Sequence, residues 1–238
     1  MSFIITTYVR EGIVMASDSR MTLNATNQQG TNTVQMAVGQ SDTNYKTFLT
    51  NTHIGISIYG DAAINNVPIA GFIESFIFEH LQQGNYDIEQ IPAELLSYFS
   101  TYSHMPNTRF HIAGYKKNGN VYEQQIWEVN LANNSSSQLN QANQQGVTWG
   151  GEGDIISRII LPVFQKDSNG NYQPVPHHSI PYQFFTLQDA IDFSVYAIRT
   201  TIDTLRFQPR PKTVGGPIDV LVLKPADSFW VSRKELTI

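Results

Sequence analysis

Cysteine is absent from the 238 residues. That excludes disulfides, thiolate catalysis and sulfur-ligated zinc, and leaves a hydroxyl, an amine or a carboxylate as any nucleophile. Charge is scarce too: Asp, Glu, Lys and Arg make up 15% of the chain, against ~25% in an average soluble protein. The 15 basic residues are scattered singly and the net charge is −5, so no basic stripe is available for phosphates and no nucleic-acid partner is expected. Apolar runs break long before the ~18 residues that cross a bilayer. Met1-Ser2-Phe3 carries no basic segment ahead of an apolar core, so the expectation is a soluble cytoplasmic protein without a membrane partner. Also missing are the Gly-x-Ser-x-Gly elbow, His-Glu-x-x-His, the phosphate-cradling Gly-x-x-x-x-Gly-Lys and Gly-x-Gly-x-x-Gly, and no cofactor is expected.

What fills the polar positions is amide, 18 Asn and 18 Gln. The N-terminal quarter reads as hairpins: Phe3 to Val9, the turn Arg10-Glu11-Gly12, then Ile13 to Ala16, and later Thr47 to Leu49 with Ile54 to Tyr59 around Asn51-Thr52. Asn24 to Asn44 reads as a loop or a frayed edge hairpin. After Gly60 the period becomes helical through Ile69, Phe72, Ile73, Phe76, Ile77 and Leu81, with Gly84 as a stop. Pro92 opens a second helix carrying Leu95, Leu96 and Phe99. Strands Phe110 to Tyr115 and Val121 to Val129 flank an Asn118-Gly119 turn, and Asn130 to Gln145 is low-complexity loop by composition.

Ile155 to Phe164 reads as a short helix and Lys166 to Pro181 as a loop, in which Asp167-x-Asn169-x-Asn171 is a turn and His177-His178 a solvated pair. Thr186 and Asp189 form a capping signature for a helix that turns Ile191, Val195, Ile198, Ile202 and Leu205 inward. Ile218 to Leu223 and Phe229 to Val231 close the chain as strands. Blocks of strands alternating with blocks of helices predict an α+β fold, helices packed outside antiparallel sheets, over one domain, 1–238.

The first hairpin sets Ser2 across from Asp18 or Ser19. Removal of Met1 would leave Ser2 with a free α-amine, whose reference pKa of ~7.7 to 8.0 suits a base at neutral pH. One residue would then supply nucleophile and base together.

Gly12-Ile13-Val14-Met15-Ala16-Ser17-Asp18-Ser19-Arg20, Lys46 before an apolar strand, Tyr59-Gly60-Asp61-Ala62-Ala63 opening a long helix, and Val214-Gly215-Gly216-Pro217-Ile218-Asp219-Val220 together resemble the proteasome β-subunit family of N-terminal nucleophile hydrolases, as a bacterial-type proteasome homologue. The resemblance implies a four-layer αββα sandwich, a threonine or serine at the mature N-terminus that attacks amide bonds, and assembly into homo-oligomeric rings or related multimers, with an ATP-dependent unfoldase as a candidate partner. Peptides or small amides would be the substrates. Position by position it implies Ser2 as nucleophile, Asp18 as the active-site aspartate with Arg20 two residues on, Lys46 beside the nucleophile, and Gly60 donating a backbone N–H to an oxyanion. Three positions depart from the pattern. Ser2 replaces the usual threonine, Gly151 occupies the place of a supporting serine, and Val214 that of a polar helper, with Asp203 a weak substitute for the companion aspartate. Thr6 and Thr7 are rival nucleophiles whose register carries them away from Asp18. The alternative to a hydrolase is a catalytically silent structural or assembly subunit.

Overall fold

The computed structural model describes residues 2–29, 32–65, 67–82, 86–102 and 105–235, with side-chain surroundings for these except 24–36. Met1 and the helix stop expected at Gly84 lie outside the described residues. In chain order the strands are β1 (Phe3–Val9), β2 (Gly12–Ser17), β3 (Met21–Gln29), β4 (Asn32–Ser41), β5 (Thr47–Leu49), β6 (Gly55–Gly60), β7 (Ala63–Ile64) and β8 (Val67–Pro68). Helix α1 (Ile69–Phe76), which widens into a π turn over Ile77–Leu81, and α2 (Ile91–Ser100) follow. Next come β9 (Thr108–Asn118), β10 (Val121–Asn130), β11 (Ser135–Gln138), β12 (Gly146–Gly151), α3 (Asp154–Ile160), β13 (Phe164–Lys166) and β14 (Tyr172–Pro174). The chain closes with α4 (Leu187–Arg206), β15 (Asp219–Lys224) and β16 (Asp227–Ser232).

Two antiparallel five-stranded sheets, β12-β1-β2-β15-β16 and β11-β10-β9-β6-β5, pack face to face. Three apolar clusters define the four layers. Tyr8, Ile13, Met15, Ile126, Leu221 and Leu223 fill the space between the sheets. Ile69, Ile73, Phe76, Leu95 and Phe99 bury α1 and α2 on the outer face of one sheet. Ile155, Ile156, Ile191, Ile198 and Leu205 do the same for α3 and α4 on the other. The architecture is the expected four-layer αββα sandwich. Strands buried on both faces explain why β1 and β2 are buried at every position, with Thr6, Thr7 and Ser17 inside along with the apolar residues.

Helix α4 starts where the sequence says it does. The Thr186 side chain accepts from the Asp189 N–H while the Asp189 carboxylate takes the Thr186 N–H, a complete capping box worth ~1 kcal/mol. Ile191, Ile198 and Leu205 are buried along it, and Ala190, Ser194, Ala197 and Thr201 complete the inward face.

Five expectations are corrected in whole or in part. Of the two readings of Asn24 to Asn44 the hairpin holds, as β3–β4, but it is not at a sheet edge: among the described residues it pairs with neither main sheet. The low-complexity stretch Asn130 to Gln145 hides edge strand β11, and past its end the buried Asn140 side chain mimics a backbone, accepting from the Ile126 N–H at 2.8 Å and donating to the Gln124 carbonyl at 2.8 Å. Lys166 to Pro181 contains β14, which pairs with β13, and α3 stops at Ile160 because Phe164 belongs to that hairpin. The hairpin β7–β8 separates Gly60 from α1, so Tyr59 to Ala63 does not open the helix. The Asp167 turn is as expected, with Asp167 Oδ1 accepting from the N–H groups of Asn169 and Asn171 at 2.9 Å each.

Candidate active site

The first hairpin pairs Ile4 with Ser17 and Val9 with Gly12, a register that brings Ser2 to the end of β2 where Asp18 follows. Beyond the last paired residues Phe3 and Asp18 exchange two bonds: the Asp18 N–H donates to the Phe3 carbonyl at 3.2 Å, and the Phe3 N–H donates to Asp18 Oδ1 at 3.0 Å. The Ser2 carbonyl accepts from the Glu152 N–H at 2.8 Å. The peptide joining Ser2 to Phe3 is therefore held from both sides, its N–H by Asp18 and its carbonyl by Glu152. Ser2 is 5% exposed.

Lys46 arrives from the opposite sheet. The Thr47 hydroxyl donates to Ser17 Oγ at 2.9 Å and lies 2.9 Å from Ser57 Oγ, tying β2, β5 and β6 into one polar row between the sheets. One residue along each strand are Asp18, Lys46 and Ile58, whose N–H donates to the Lys46 carbonyl at 2.8 Å. Lys46 Nζ meets Asp18 Oδ1 at 2.6 Å, both side chains essentially solvent-free. Burial pushes the Lys46 ammonium below its ordinary value, while the Asp18 carboxylate opposes that shift.

Asp18 is the hub. Its Oδ1 takes the Phe3 N–H and Lys46, and its Oδ2 takes the N–H of Arg20 at 3.1 Å and of Gly215 at 3.0 Å. Four donors satisfy a buried carboxylate that would otherwise be costly to desolvate.

Gly60 ends β6 with φ +100, and a Cβ there would collide with the Asn107 carbonyl, so only glycine fits. N–H groups alternate between the two neighbours of an antiparallel strand. Gly60, two residues from Ile58, thus directs its N–H to the side of β6 on which Lys46 lies, past the end of β5. The Tyr59 ring packs on Gly150, which pairs with Ile4, so this end of β6 sits over the start of β1.

The remaining expected residues separate into two groups. Arg20 is not aimed at Ser2: it makes a two-pronged pair with Asp42, Nε to Oδ1 at 2.6 Å and a terminal nitrogen to Oδ2 at 2.7 Å, and lies flat against Gly215. Gly151 pairs with Phe3 at φ +89, and a Cβ there would overlap the Ser2 carbonyl, so no serine fits in this backbone. Val214 is buried in the apolar cluster under α4. Asp203 is exposed on α4, and among the described residues it joins none of the site's ion pairs or hydrogen bonds. Thr6 and Thr7 are buried and engaged elsewhere, Thr6 with His111 at 3.2 Å and Thr7 with Ser194 at 2.8 Å.

Glu152, Thr213 and Arg210 escaped sequence reasoning. The Glu152 carboxylate is buried, pairs with Arg210 at 2.7 Å and accepts from the Thr213 hydroxyl at 3.0 Å, which fastens the segment carrying Gly215 to the strand end that holds Ser2. The one signal was a lone acidic residue directly after Gly150-Gly151 at a strand end.

No family model matches the chain and no curated protein is similar to it at a significant level. Among solved structures it is similar to the Gly-1 mutant of Anbu from Hyphomicrobium sp. strain MC1, at TM-score 0.59 and 15% identity over 98% of this chain and 88% of that one. It is likewise similar to Anbu, described as an ancestral β-subunit, from Yersinia bercovieri, at TM-score 0.59 and 14% identity over 97% and 87%. These likenesses correct the assignment of the chain as a bacterial-type homologue within the proteasome β-subunit family: no family model supports that placement, and the neighbours are Anbu proteins. At this identity the likeness establishes the fold, a proteasome-like N-terminal nucleophile hydrolase fold, and nothing finer.

Proposed function

We propose that the chain is a single-domain cytoplasmic hydrolase of peptide or small-amide bonds whose nucleophile is the Ser2 hydroxyl, exposed by removal of Met1. The observation that carries this reading is the Asp18 carboxylate, whose Oδ1 grips the Lys46 ammonium at 2.6 Å and the N–H of the Ser2–Phe3 peptide at 3.0 Å. A cation in that position lowers the pKa of a neighbouring hydroxyl. The α-amine of Ser2 takes the hydroxyl proton as Oγ attacks the substrate carbonyl, and the Gly60 N–H stabilises the oxyanion of the tetrahedral intermediate. Collapse expels the amine with that proton and leaves an ester on Ser2. Water then attacks the ester by the same path in reverse. Homo-oligomeric assembly into a ring, with Ser2 facing an enclosed space, and delivery of substrate by an ATP-dependent unfoldase belong to the same reading.

A second reading, a catalytically silent assembly subunit, is favoured by two positions. Gly151 and Val214 supply no polar side chain where helpers of the nucleophile were expected. Hydrolysis of a panel of fluorogenic peptide amides by untagged protein separates the two. Turnover that vanishes in Ser2→Ala while the fold persists supports the hydrolase. No turnover in wild type, with Ser2 confirmed as the first residue, supports the silent subunit.

A further inference from the structure

Helices α1 and α2 bound an open pocket of about 680 Å³ in the layer outside the β11-β10-β9-β6-β5 sheet, whereas Ser2 begins the other sheet. That volume suits a small organic molecule. Phe72 from α1, Tyr98 from α2 and Tyr102 just past its end supply aromatic walls. The Phe72 and Tyr102 rings stand at 90° with centres 5.1 Å apart, and those of Tyr98 and Tyr102 at 65° and 5.8 Å. Glu79 and Glu94 are the carboxylates on the lining, and among the described residues no lysine or arginine joins them. Aromatic faces carry partial negative charge, so rings and carboxylates together favour a cation.

Two local features shape this pocket. The π turn Ile77–Leu81, a geometry rare in helices and frequent at functional sites, brings Glu79 and His80 to the lining. Gly71, the third residue of α1, lines it as well, and among the described residues a Cβ there would meet no atom within 4 Å. Its backbone is helical, so neither conformation nor close packing within this chain calls for glycine, which weakens a helix. What the missing side chain does is leave room in the pocket.

We propose that this pocket is a binding site for a small organic ammonium ion with an apolar body, the rings receiving that body and its cation and Glu79 and Glu94 balancing the charge. An anion would be repelled by both carboxylates, and a neutral ligand would gain nothing from them. The site is separate from the Ser2 chemistry and stands whether or not the chain hydrolyses amides.

The test is calorimetric titration of the full chain with phenethylammonium chloride and, at matched ionic strength, with its neutral isostere 2-phenylethanol. Attraction to the rings and the two carboxylates makes the ammonium bind roughly tenfold or more tightly than the alcohol. Glu79→Gln/Glu94→Gln, at positions open to solvent, removes most of that preference. Gly71→Leu strengthens the helix while filling the pocket, and weakens both probes by about tenfold or more. Circular dichroism checks that each variant is folded, and Ser2→Ala binds as wild type does. Should Gly71→Leu not fold, the paired glutamine variant still decides. Equal binding of the alcohol overturns the proposal, as does ammonium binding that survives in folded Gly71→Leu and so lies elsewhere. Absence of binding to wild type overturns it too, and a changed sedimentation of Gly71→Leu would then mark the pocket as a contact for a second copy of the chain.

Discussion

Thr6 of β1 and His111 of β9 meet across the space between the two sheets, Oγ1 to Nδ1 at 3.2 Å, with neither residue in contact with solvent. Burial pushes the imidazole down to about 4 from its ordinary 6.5, and Glu128 offsets little of that. The folded protein thus carries neutral His111 throughout a range in which the unfolded chain binds a proton. Between about pH 6.5 and pH 4 the unfolded state is favoured progressively as pH falls. We expect His111 to remove about 1 kcal/mol of stability per pH unit on acidification through that window. Urea unfolding at pH 7 and pH 5 checks it: the loss shrinks in His111→Gln, and an equal loss in both proteins would refute the assignment.

Lys46→Met leaves the Asp18 carboxylate without its cation. Breaking a buried pair costs ~3 to 5 kcal/mol, and the three backbone N–H donors that remain on Asp18 place the expected loss at the low end. Catalysis suffers more than binding, as the charge is needed at the nucleophile during reaction. A kcat reduced by about 100-fold or more, with KM within a few-fold, is the expected outcome of steady-state kinetics on the folded variant. A kcat near wild type would remove Lys46 from the mechanism.

Gly151→Ser should damage the site it superficially repairs. The backbone there is left-handed at φ +89 and the new Cβ would press on the Ser2 carbonyl. Backbone strain alone costs on the order of 1 to 3 kcal/mol, and the overlap adds to it by displacing the residue that must react. Thermal unfolding should show a lower midpoint together with slower reaction at Ser2. A variant as stable as wild type and more active would mean that the strand end relaxes at little cost.

How far the sequence could be read follows from which interactions are local. The β1–β2 register is set by a two-residue turn and an unbroken apolar pattern, so Ser2 could be placed beside Asp18 from spacing alone. Thr186 and Asp189 likewise carry their own signal three residues apart. Strand β11 was invisible because it pairs through its backbone while its side chains, Ser135 to Gln138, are exposed and polar, and the Asn140 bonds that continue the edge lie in an Asn/Gln/Ser tract. Arg210, Glu152 and Thr213 are brought together from positions about 60 residues apart, and no local pattern marks such a contact. Asp203 is the opposite case: its place follows from the local period of α4, whose inward face of Ile191, Ile198 and Leu205 leaves it toward solvent.

A low charged fraction suits subunit contacts, where desolvating Asn or Gln costs less than desolvating Lys or Glu. Sedimentation of untagged protein at micromolar concentration is expected to show a homo-oligomer. A clean species at the 26.8 kDa of one chain would remove the enclosed-ring model and leave the Ser2 chemistry to be judged separately.

The most direct measurement is intact mass and peptide mapping of untagged protein after exposure to a hydroxyl-reactive peptide electrophile. The account predicts loss of Met1 and one adduct, on Ser2, absent from a folded Ser2→Ala variant. An adduct that persists in Ser2→Ala, or moves to Thr6 or Thr7, would contradict it, as would unreactive wild-type protein in which Ser2 is confirmed as the first residue.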